Sequence, residues 1–196
     1  MSEENYFWSR PTAEPKRSYK YLAKFANSEI PWFLVSSIDL PKADIGEATT
    51  HALNHTFKWP GRITWQDVSM EVTDSESLNA VNVLVAKLRG AGYVYPSVDN
   101  YATISKQGSI TSFGVLTIQE LNWEGKKIGE WYLQNAWVKK IDAGKKAYES
   151  DDVQKISLTV TYDWAEYKKF ANPVGLGGSE LPGPEVIAGI ISGENA

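Results

Sequence analysis

The sequence predicts a mainly β protein, an antiparallel β-sandwich or barrel with one flanking α-helix. The strongest signal is residues 153–164, where apolar and polar side chains alternate as in a strand with one buried face and one wet face. The apolar row is Ile156, Leu158, Val160 and Tyr162, and the polar row is Ser157, Thr159 and Thr161. Other segments alternate between turn residues, whereas a single segment has apolar residues at helical spacing.

Composition narrows the function classes. The chain has 196 residues, enough for one domain with extensions, and its lack of cysteine excludes disulfides and cysteine-ligated metals. Its net charge of −4 argues against binding nucleic acid through a basic face. No apolar run approaches the ~20 residues of a membrane span, and the first residues are acidic and aromatic, unlike a signal peptide. These features favour a protein made in a reducing cytoplasm.

The N-terminal third predicts an arm and two strands. Residues 1–18 show no period and are interpreted as an arm that becomes ordered only when something holds it. Residues 19–26 alternate weakly and predict a first strand. Residues 30–40 are apolar on both faces, so this strand is either a central strand of the fold or is covered by a neighbouring subunit. Residues 41–46 are expected to form a loop.

Residues 49–73 predict two strands around a turn. In 49–57 the small polar positions fall on one face of a single strand, and both histidines of the chain, His51 and His55, fall on the other. No third metal ligand lies near by, which favours ordinary histidines over a metal site. Residues 58–61, KWPG, predict a turn. Residues 62–73 predict the next strand, with a bulge near Gln66 where the apolar parity switches.

Residues 74–90 predict the flanking helix. Asp74 and Ser75 are suitable N-cap residues, and Gly90 is a typical stop. The apolar stripe of Leu78, Val81, Leu84, Val85 and Leu88 predicts that one face packs on the sheet. The long connection 91–109 contains three tyrosines and is either an ordered surface loop or a segment that docks on another copy.

The C-terminal half predicts a meander followed by an extension. Residues 110–123 and 126–140 are expected to be strands joined by a hairpin turn at Glu124 and Gly125. The segments 130–141 and 153–164 should then lie side by side as long antiparallel neighbours within a three-stranded meander over 113–164. After Trp164 the periodicity ends, and the rest is Gly- and Pro-rich. Within it, residues 184–191 are apolar and either tuck back or dock on a neighbour.

Residues with catalytic potential are scarce. Two nearby histidines without cysteine do not make a convincing nucleophile–base set, and no phosphate-binding glycine motif is present. We therefore expect no catalytic residue, no cofactor and no metal. A protein of this kind is expected to bind or to build rather than to catalyse.

The order and spacing of several strings resemble the tube protein of contractile bacteriophage tails and its relatives in contractile injection systems. The strings are Leu40-Pro41 after a strand, the KWPG segment, Thr73-Asp74 before a helix, LQNAWV at 133–138, and the finish from 150–152 to 162–164. They span a β domain over 19–167, flanked by the arm 1–18 and the extension 168–196.

The resemblance implies hexameric rings that stack into a hollow tube, with six copies closing one ring-wide barrel. The implied partners are other copies, a tail sheath protein, a tape measure protein, and baseplate or terminator proteins. DNA would pass through without specific binding, no membrane would be involved, and the protein would reside in a virion tail assembled in the host cytoplasm. A tube subunit of a non-phage contractile injection system, or a tube-related baseplate protein, is the alternative within this class.

Alternation and the resemblance together suggest which side chains face the channel. This candidate lumen face consists of Thr50, Asn54, Thr56, Asp67, Ser69 and Glu71. An acidic wall would repel phosphate and let DNA slide. A different class of function also fits the eight tryptophans, namely a carbohydrate-binding β-sandwich that stacks sugars on exposed indoles.

Overall fold

The computed structural model describes residues 14–96, 101–146, 148–149 and 152–174. Over these residues the chain forms ten strands, two α-helices and one 3-10 turn. The strands are β1 Tyr21–Phe25, β2 Val35–Ile38, β3 Ala43–Ala52, β4 His55–Trp65, β5 Val68–Thr73, β6 Leu116–Leu121, β7 Lys127–Gln134, β8 Trp137–Asp142, β9 Lys155–Thr161 and β10 Trp164–Val174. The helices are α1 Ala80–Gly90 and α2 Lys106–Phe113.

Eight of these strands form two antiparallel sheets packed face to face, and the other two form a separate hairpin. Sheet A has the order β1-β6-β7-β10, and sheet B has the order β2-β5-β9-β8. The hairpin β3–β4 is a two-stranded sheet of its own. The predicted mainly β antiparallel architecture with a flanking helix is thus confirmed.

The core lies between sheets A and B. On sheet B it contains the alternating apolar row of β9, and Ile156, Leu158 and Val160 are completely or almost completely buried. Sheet A contributes Leu116, Ile118 and Leu133 among others, while Leu84 of α1 joins the same cluster. The alternation in 153–164 therefore identified a real buried face, as expected for a strand with one dry side.

Two corners carry the chain from one sheet to the other. β7 passes into β8 through Asn135, whose φ of 56° bends the backbone, and β9 passes into β10 at the same level. There, the amide of Asp163 donates to the carbonyl of Gln134 over 3.1 Å. Because β7 pairs with β10 and β8 pairs with β9, the prediction of two long antiparallel neighbours is confirmed. The prediction of one three-stranded meander over 113–164 is wrong, because the chain passes from sheet A to sheet B between β7 and β8 and returns to sheet A between β9 and β10.

The helices differ from their predicted bounds. α1 begins only at Ala80, and Asn79 caps it by accepting from the amide of Asn82. Asp74 still contributes, because its carboxylate accepts from the amide of Ala80 at 2.9 Å. α2 is a correction to the prediction, which places its first residues in the connection 91–109 and the rest in the strand 110–123. Its sequence carries no apolar stripe, but Ser105 caps it through the amide of Gly108.

Two further segments differ from expectation. The predicted strand over 30–40 begins with the 3-10 turn Trp32–Leu34, and only Val35–Ile38 forms β2. Trp32 and Phe33 are exposed in this turn. At the other end, β10 continues to Val174, although the periodicity predicted an end at Trp164. β10 forms because it pairs with β7 along its length, and the local sequence pattern does not reveal this pairing.

One polar network is buried on the outer face of sheet A. Glu130 accepts at one carboxylate oxygen from the Gln119 side-chain amide and at the other from the Tyr132 hydroxyl, each over 2.7 Å. Burial, followed by the hydrogen bond to Glu130, raises the pKa of Tyr132, so its hydroxyl remains a donor. With both carboxylate oxygens occupied by donors, the network is compatible with its burial.

Several predictions lie outside the described residues. These are most of the arm 1–18, part of the long connection, and the extension beyond residue 174 with its apolar piece 184–191. The division into arm, domain and extension stays a prediction. Among the described residues, no helix is long and apolar enough to cross a membrane. The same residues contain no cluster of three or more histidine, aspartate or glutamate side chains that could hold a metal.

Candidate functional site

The hairpin β3–β4 is the part of the chain that its own fold leaves uncovered. Its two strands pair only with each other among the described residues, from Ala43 opposite Trp65 to Ala52 opposite His55. All ten residues of β3 are exposed, and so are all residues of β4 except Trp65. Trp65 packs on the core, with its ring 5.9 Å from that of Tyr162. The hairpin is therefore anchored at its base and free along its length.

Large apolar side chains are exposed along this hairpin. They are Ile45, Leu53, Phe57, Trp59 and Ile63, each at least half exposed. A two-stranded hairpin alone in water is at best marginally stable, and apolar patches of this kind usually mark a contact surface. Both outer edges of the hairpin also present unpaired backbone groups among the described residues. These features define a surface suited to assembly.

The hairpin tip carries an unusual residue. Leu53 and Asn54 form the two-residue turn, and Leu53 has a φ of 52°, a left-handed conformation in which glycine or asparagine is preferred. The Leu53 side chain is fully exposed, at 102%. A bulky apolar residue held in a costly backbone conformation at an exposed tip indicates a use outside the isolated chain.

Cross-strand side-chain contacts hold the hairpin together. Trp59 donates from its indole N–H to the Thr50 hydroxyl at 3.0 Å on one face. On the other face the Glu47 carboxylate lies 3.1 Å from the Lys58 ammonium. Such exposed pairs each contribute only a few tenths of a kcal/mol, up to about 1. The hairpin β3–β4 is therefore held in shape by local contacts, although these contacts stabilise it only weakly.

A bulge bends the hairpin about one third of the way along. Ile45 lies opposite Ile63, whereas Glu47 lies opposite Pro60, so β4 has one extra residue. Gly61 sits at this point, and a β-carbon there would lie 3.0 Å from the carbonyl of Gly46 across the hairpin. Glycine thus permits the close approach of the two strands. The predictions of a loop at 41–46 and a turn at 58–61 were wrong, because proline and glycine mark a bulge here.

The outward face of sheet B is the second candidate surface, and its strand β5 directly follows the hairpin in the chain. Its side chains are small and polar, including Ser69 on β5 and Ser157 on β9, which alternate with the buried apolar row. Ser69 lies opposite Thr159, and Glu71 lies opposite Ser157. The face is flat and hydroxyl-rich, as the alternation predicted.

The carboxylates of this face are paired with lysines. Asp67 lies 2.8 Å from the Lys139 ammonium and accepts from the Thr161 hydroxyl, also at 2.8 Å. The hydrogen bond from Lys139 lowers the pKa of Asp67, and the Thr161 hydroxyl acts in the same direction. Glu71 lies 3.5 Å from Lys155. The row is therefore ion-paired rather than uniformly acidic.

The structure divides the six residues predicted for the lumen. Asp67, Ser69 and Glu71 share the outward side of sheet B, with Asp67 immediately before β5. Thr50 lies opposite Phe57, whereas Thr56 lies opposite His51. Since partners in register share a face, Thr50 and Thr56 point to opposite faces of the hairpin. Asn54 lies in the turn. The single strand over 49–57 was wrong, and the channel-facing role of the six residues stays a prediction.

The predicted polar and histidine rows are interrupted by the same turn. His51 lies 3.1 Å from the Thr56 hydroxyl across the hairpin, while His55 is opposite Ala52 on the other face. The apolar residues of β4 fall at alternate positions, but Pro60 and Gly61 between Trp59 and Ile63 favour a turn, so the pattern predicts two strands instead of one. A usable signal was Asn54, a residue favoured in two-residue turns, within a run of β-forming residues.

The comparisons with known proteins concern the fold. No family model matches this chain, and no curated protein matches its sequence. A chain in the structure of the anti-feeding prophage cap, a tube terminating cap, is 12% identical with a TM-score of 0.60, over 80% of this chain and 93% of that chain. A chain in the sheath/tube terminator of the extracellular contractile injection system PVC is 13% identical with a TM-score of 0.59, over 79% and 97%.

A third similar structure comes from the same kind of particle. A chain in the extended sheath-tube complex of PVC is 15% identical with a TM-score of 0.58, over 81% of this chain and 95% of that chain. The chain described here therefore shares its fold with chains of contractile injection particles. The resemblance drawn from its sequence is confirmed at the level of fold.

Proposed function

We propose that this chain, built on the fold found in contractile injection particles, is a self-assembling structural subunit of the inner tube of such a particle. Copies of the chain form hexameric rings, and the rings stack around a continuous channel. The role is architectural, without catalysis. The observation that carries the proposal is the exposed hairpin β3–β4, which the monomer leaves without cover among its described residues.

Burial energetics support assembly through this hairpin. Complete burial of a large apolar side chain contributes about 1.5–3 kcal/mol. The hairpin offers five such side chains, so a neighbouring copy that covered them would supply several times that amount, before the cost of association.

The unpaired edges of the hairpin β3–β4 favour assembly into a closed ring over open-ended aggregation. A long exposed edge strand recruits further strands, and closure of the sheet around an axis is the arrangement that removes every edge. A heterologous contact, with the hairpin of one copy on the body of the next, generates such a ring when the rotation closes. The number of six copies in the proposal comes from the family resemblance.

The outward face of sheet B is our candidate for the channel wall. It presents small hydroxyl side chains and ion-paired carboxylates, with Asp67 beside Lys139 and Glu71 beside Lys155. Such a wall offers no exposed apolar anchor and no unpaired cationic row to hold a passing polymer. The proposed cargo is DNA in a bacteriophage tail. A non-phage injection system, or a tube-related baseplate position, is the alternative within the same class.

The proposed partners follow from the same assembly. They are further copies of the chain, a surrounding sheath protein, a tape measure protein inside the tube, and terminator or baseplate proteins at its ends. The proposed location is a virion tail assembled in the host cytoplasm.

The test is the oligomeric state of the purified chain and of matched variants. Mass photometry and negative-stain electron microscopy should show rings or tubes for the wild type. The double variant Phe57→Asp/Trp59→Asp should remain monomeric, because it places two charges on the hairpin face that carries these two aromatic side chains. Trp123→Asp is the control, since Trp123 is equally exposed but lies in the β6–β7 turn.

Two results would overturn the proposal. One is a wild type that stays a folded monomer at its highest attainable concentration. The other is a hairpin double variant that assembles as readily as the wild type while circular dichroism shows that both are folded.

A further inference from the structure

Helix α1 carries a groove that the assembly surface does not include. The groove has a volume of about 480 Å³ and lies along the outward side of the helix. Its floor is apolar, with Val81, Val85 and Ala86, and its polar residues are Asn79, Asn82, Arg89 and Tyr95. The fully buried residues of α1 are Ala80 and Leu84, and Val81 lies at the boundary, since it contacts both the core and the groove. The groove is thus additional to the packing of the fold.

The groove has an available positive charge. Arg89 places its guanidinium 4.6 Å from the centre of the Tyr95 ring, and Tyr95 in turn stacks edge-on with Tyr93. No ion pair or hydrogen bond joins the Arg89 guanidinium to any other described residue. An arginine held on an aromatic ring keeps its N–H donors oriented for a carboxylate.

Among the described residues of 77–113 there is no acidic side chain that could neutralise this charge. Residues 77–113 contain Lys87, Arg89 and Lys106 but a single acidic residue, Asp99, which lies outside the described residues. Lys106 is itself paired with Asp163 at 2.7 Å. On a chain with a net charge of −4, the described residues of 77–113 form a locally basic surface.

One segment of this chain has the complementary chemistry. Residues 175–196 contain three glutamates, Glu180, Glu185 and Glu194, and no lysine or arginine. Its apolar residues Val186, Ile187, Ile190 and Ile191 are spaced so that i and i+4 pairs would fall on one face of a helix. Such a face matches the apolar floor of the groove, and the carboxylates match Arg89.

We propose that the groove on α1 binds the acidic, apolar C-terminal segment 184–196 of this chain. The segment follows a Gly- and Pro-rich linker of nine residues after Val174, which spans at most ~30 Å when extended. The inference is independent of the tube proposal, since it concerns a different surface and a different segment.

The absence of cysteine makes disulfide trapping a direct test. In the full-length protein, Ala86→Cys places a thiol in the groove on an exposed helical position, and Ile190→Cys places one in the segment. Under mild oxidation this pair should cross-link quickly. A cross-linked monomer on a non-reducing gel would identify the segment of the same molecule as the occupant, and a cross-linked dimer would identify that of a neighbour.

The control pair is Ser157→Cys with Ile190→Cys, because Ser157 is exposed on sheet B, away from α1. Its rate of cross-linking sets the background from random collisions. A groove pair that is no faster than this control overturns the proposal, whichever band it gives.

The charge prediction is tested in the same assay. Adding Arg89→Glu to the groove pair should slow cross-linking by about tenfold, since it replaces a charge-assisted contact with repulsion. Reversing Glu185 and Glu194 to lysine in that background should restore the rate, an outcome that a general loss of folding would not produce. An unchanged rate in Arg89→Glu would contradict the assigned role of Arg89.

Discussion

The sandwich body and the hairpin β3–β4 are both antiparallel β-structure, but they are stabilised in different ways. In the body each strand buries one row of side chains, so that Leu158 is 1% exposed. In the hairpin nearly every side chain is exposed, and Leu53 at its tip is 102% exposed. The body completes its burial within one chain. The hairpin is as long as the buried strands of the body but has no partner strand among the described residues, and this contrast is what the assembly proposal explains.

The largest expected difference between the two regions is the cost of removing a leucine. Leu158→Ala should lower the free energy of unfolding by about 2–5 kcal/mol, because it leaves a cavity in the core. Leu53→Ala should change that free energy by less than about 0.5 kcal/mol, since its side chain contacts solvent. Urea denaturation followed by circular dichroism, at a concentration where the chain is monomeric, measures both values.

The effects of the same two variants on ring formation should rank in the opposite order to their effects on stability. Leu53→Ala should weaken ring formation, since the tip loses its apolar contact, although the subunit remains stable. A large loss of monomer stability in Leu53→Ala would show that the hairpin packs within its own chain, and would remove the contrast between the regions.

A glycine in the body is expected to have an intermediate effect. A β-carbon at Gly129 would collide with the ring of Tyr167, which is held by hydrogen bonds to Glu120 and Lys16. Gly129→Ala should therefore destabilise the body by about 1–3 kcal/mol, the usual cost of overpacking. Thermal denaturation of this variant, in the wild-type background and with Tyr167→Leu, measures the cost.

Tyr167→Leu should remove most of the penalty, because the obstructing ring end is then absent and the two substitutions are coupled. If Gly129→Ala cost the same in both backgrounds, the collision with Tyr167 would not be its cause. In the hairpin, Gly61→Ala should leave global stability nearly unchanged, since that bulge supports no core.

The smallest effect is expected at the corner where the chain changes sheets. Lys106 donates to both carboxylate oxygens of Asp163 at 2.8 and 2.7 Å, and Asn135 donates to one of them at 2.7 Å. The hydrogen bond from Lys106, followed by that from Asn135, lowers the pKa of Asp163 below its ordinary value of 3.8. A carboxyl group with a lowered pKa stabilises the fold above its ordinary pKa, and that contribution is lost as the pH falls through the lowered value.

Wild-type stability should consequently fall more steeply below pH ~4 than that of Asp163→Asn, by less than about 1 kcal/mol because the pair is partly exposed. Guanidinium titrations between neutral and acidic pH measure the slope. Lys106→Met should flatten the curve in part, because Asn135 still donates to Asp163, and adding Lys106→Met to Asp163→Asn should flatten it no further. A steeper curve in Asp163→Asn would exclude this ion pair as a source of acid sensitivity.

Local pattern was sufficient wherever burial is one-sided. The apolar row of β9 and the turn at Gly125 were predicted, because each depends on neighbours close in sequence or on one buried face. The predicted stripe on α1 is confirmed in part: Val81, Leu84 and Leu88 contact the core, whereas Leu78 precedes the helix and Val85 lines the groove. Pattern failed for α2, whose sequence is neither amphipathic nor apolar, and for β10, which depends on pairing with β7. It also failed for the hairpin, because Pro60 and Gly61 indicate a turn at a point where β4 continues through a bulge.

The candidate site shows the same limit. The outward row of Ser69 and Glu71 could be predicted, since it alternates with buried residues. The ion pairs that occupy its carboxylates could not, because Lys139 is 72 residues from Asp67 in the chain. Likewise, one turn at Leu53 and Asn54 decides that Thr50 and Thr56 lie on opposite faces.

By itself the sequence determined the class of the fold, its dry strand faces and the main helix, because these follow from short-range periodicity and the cost of exposing apolar side chains. The tertiary structure alone decided where the chain changes sheets, which charges meet, and that β3 and β4 stand apart from the body. Those outcomes depend on contacts between residues far apart in sequence, whose energies no local window contains.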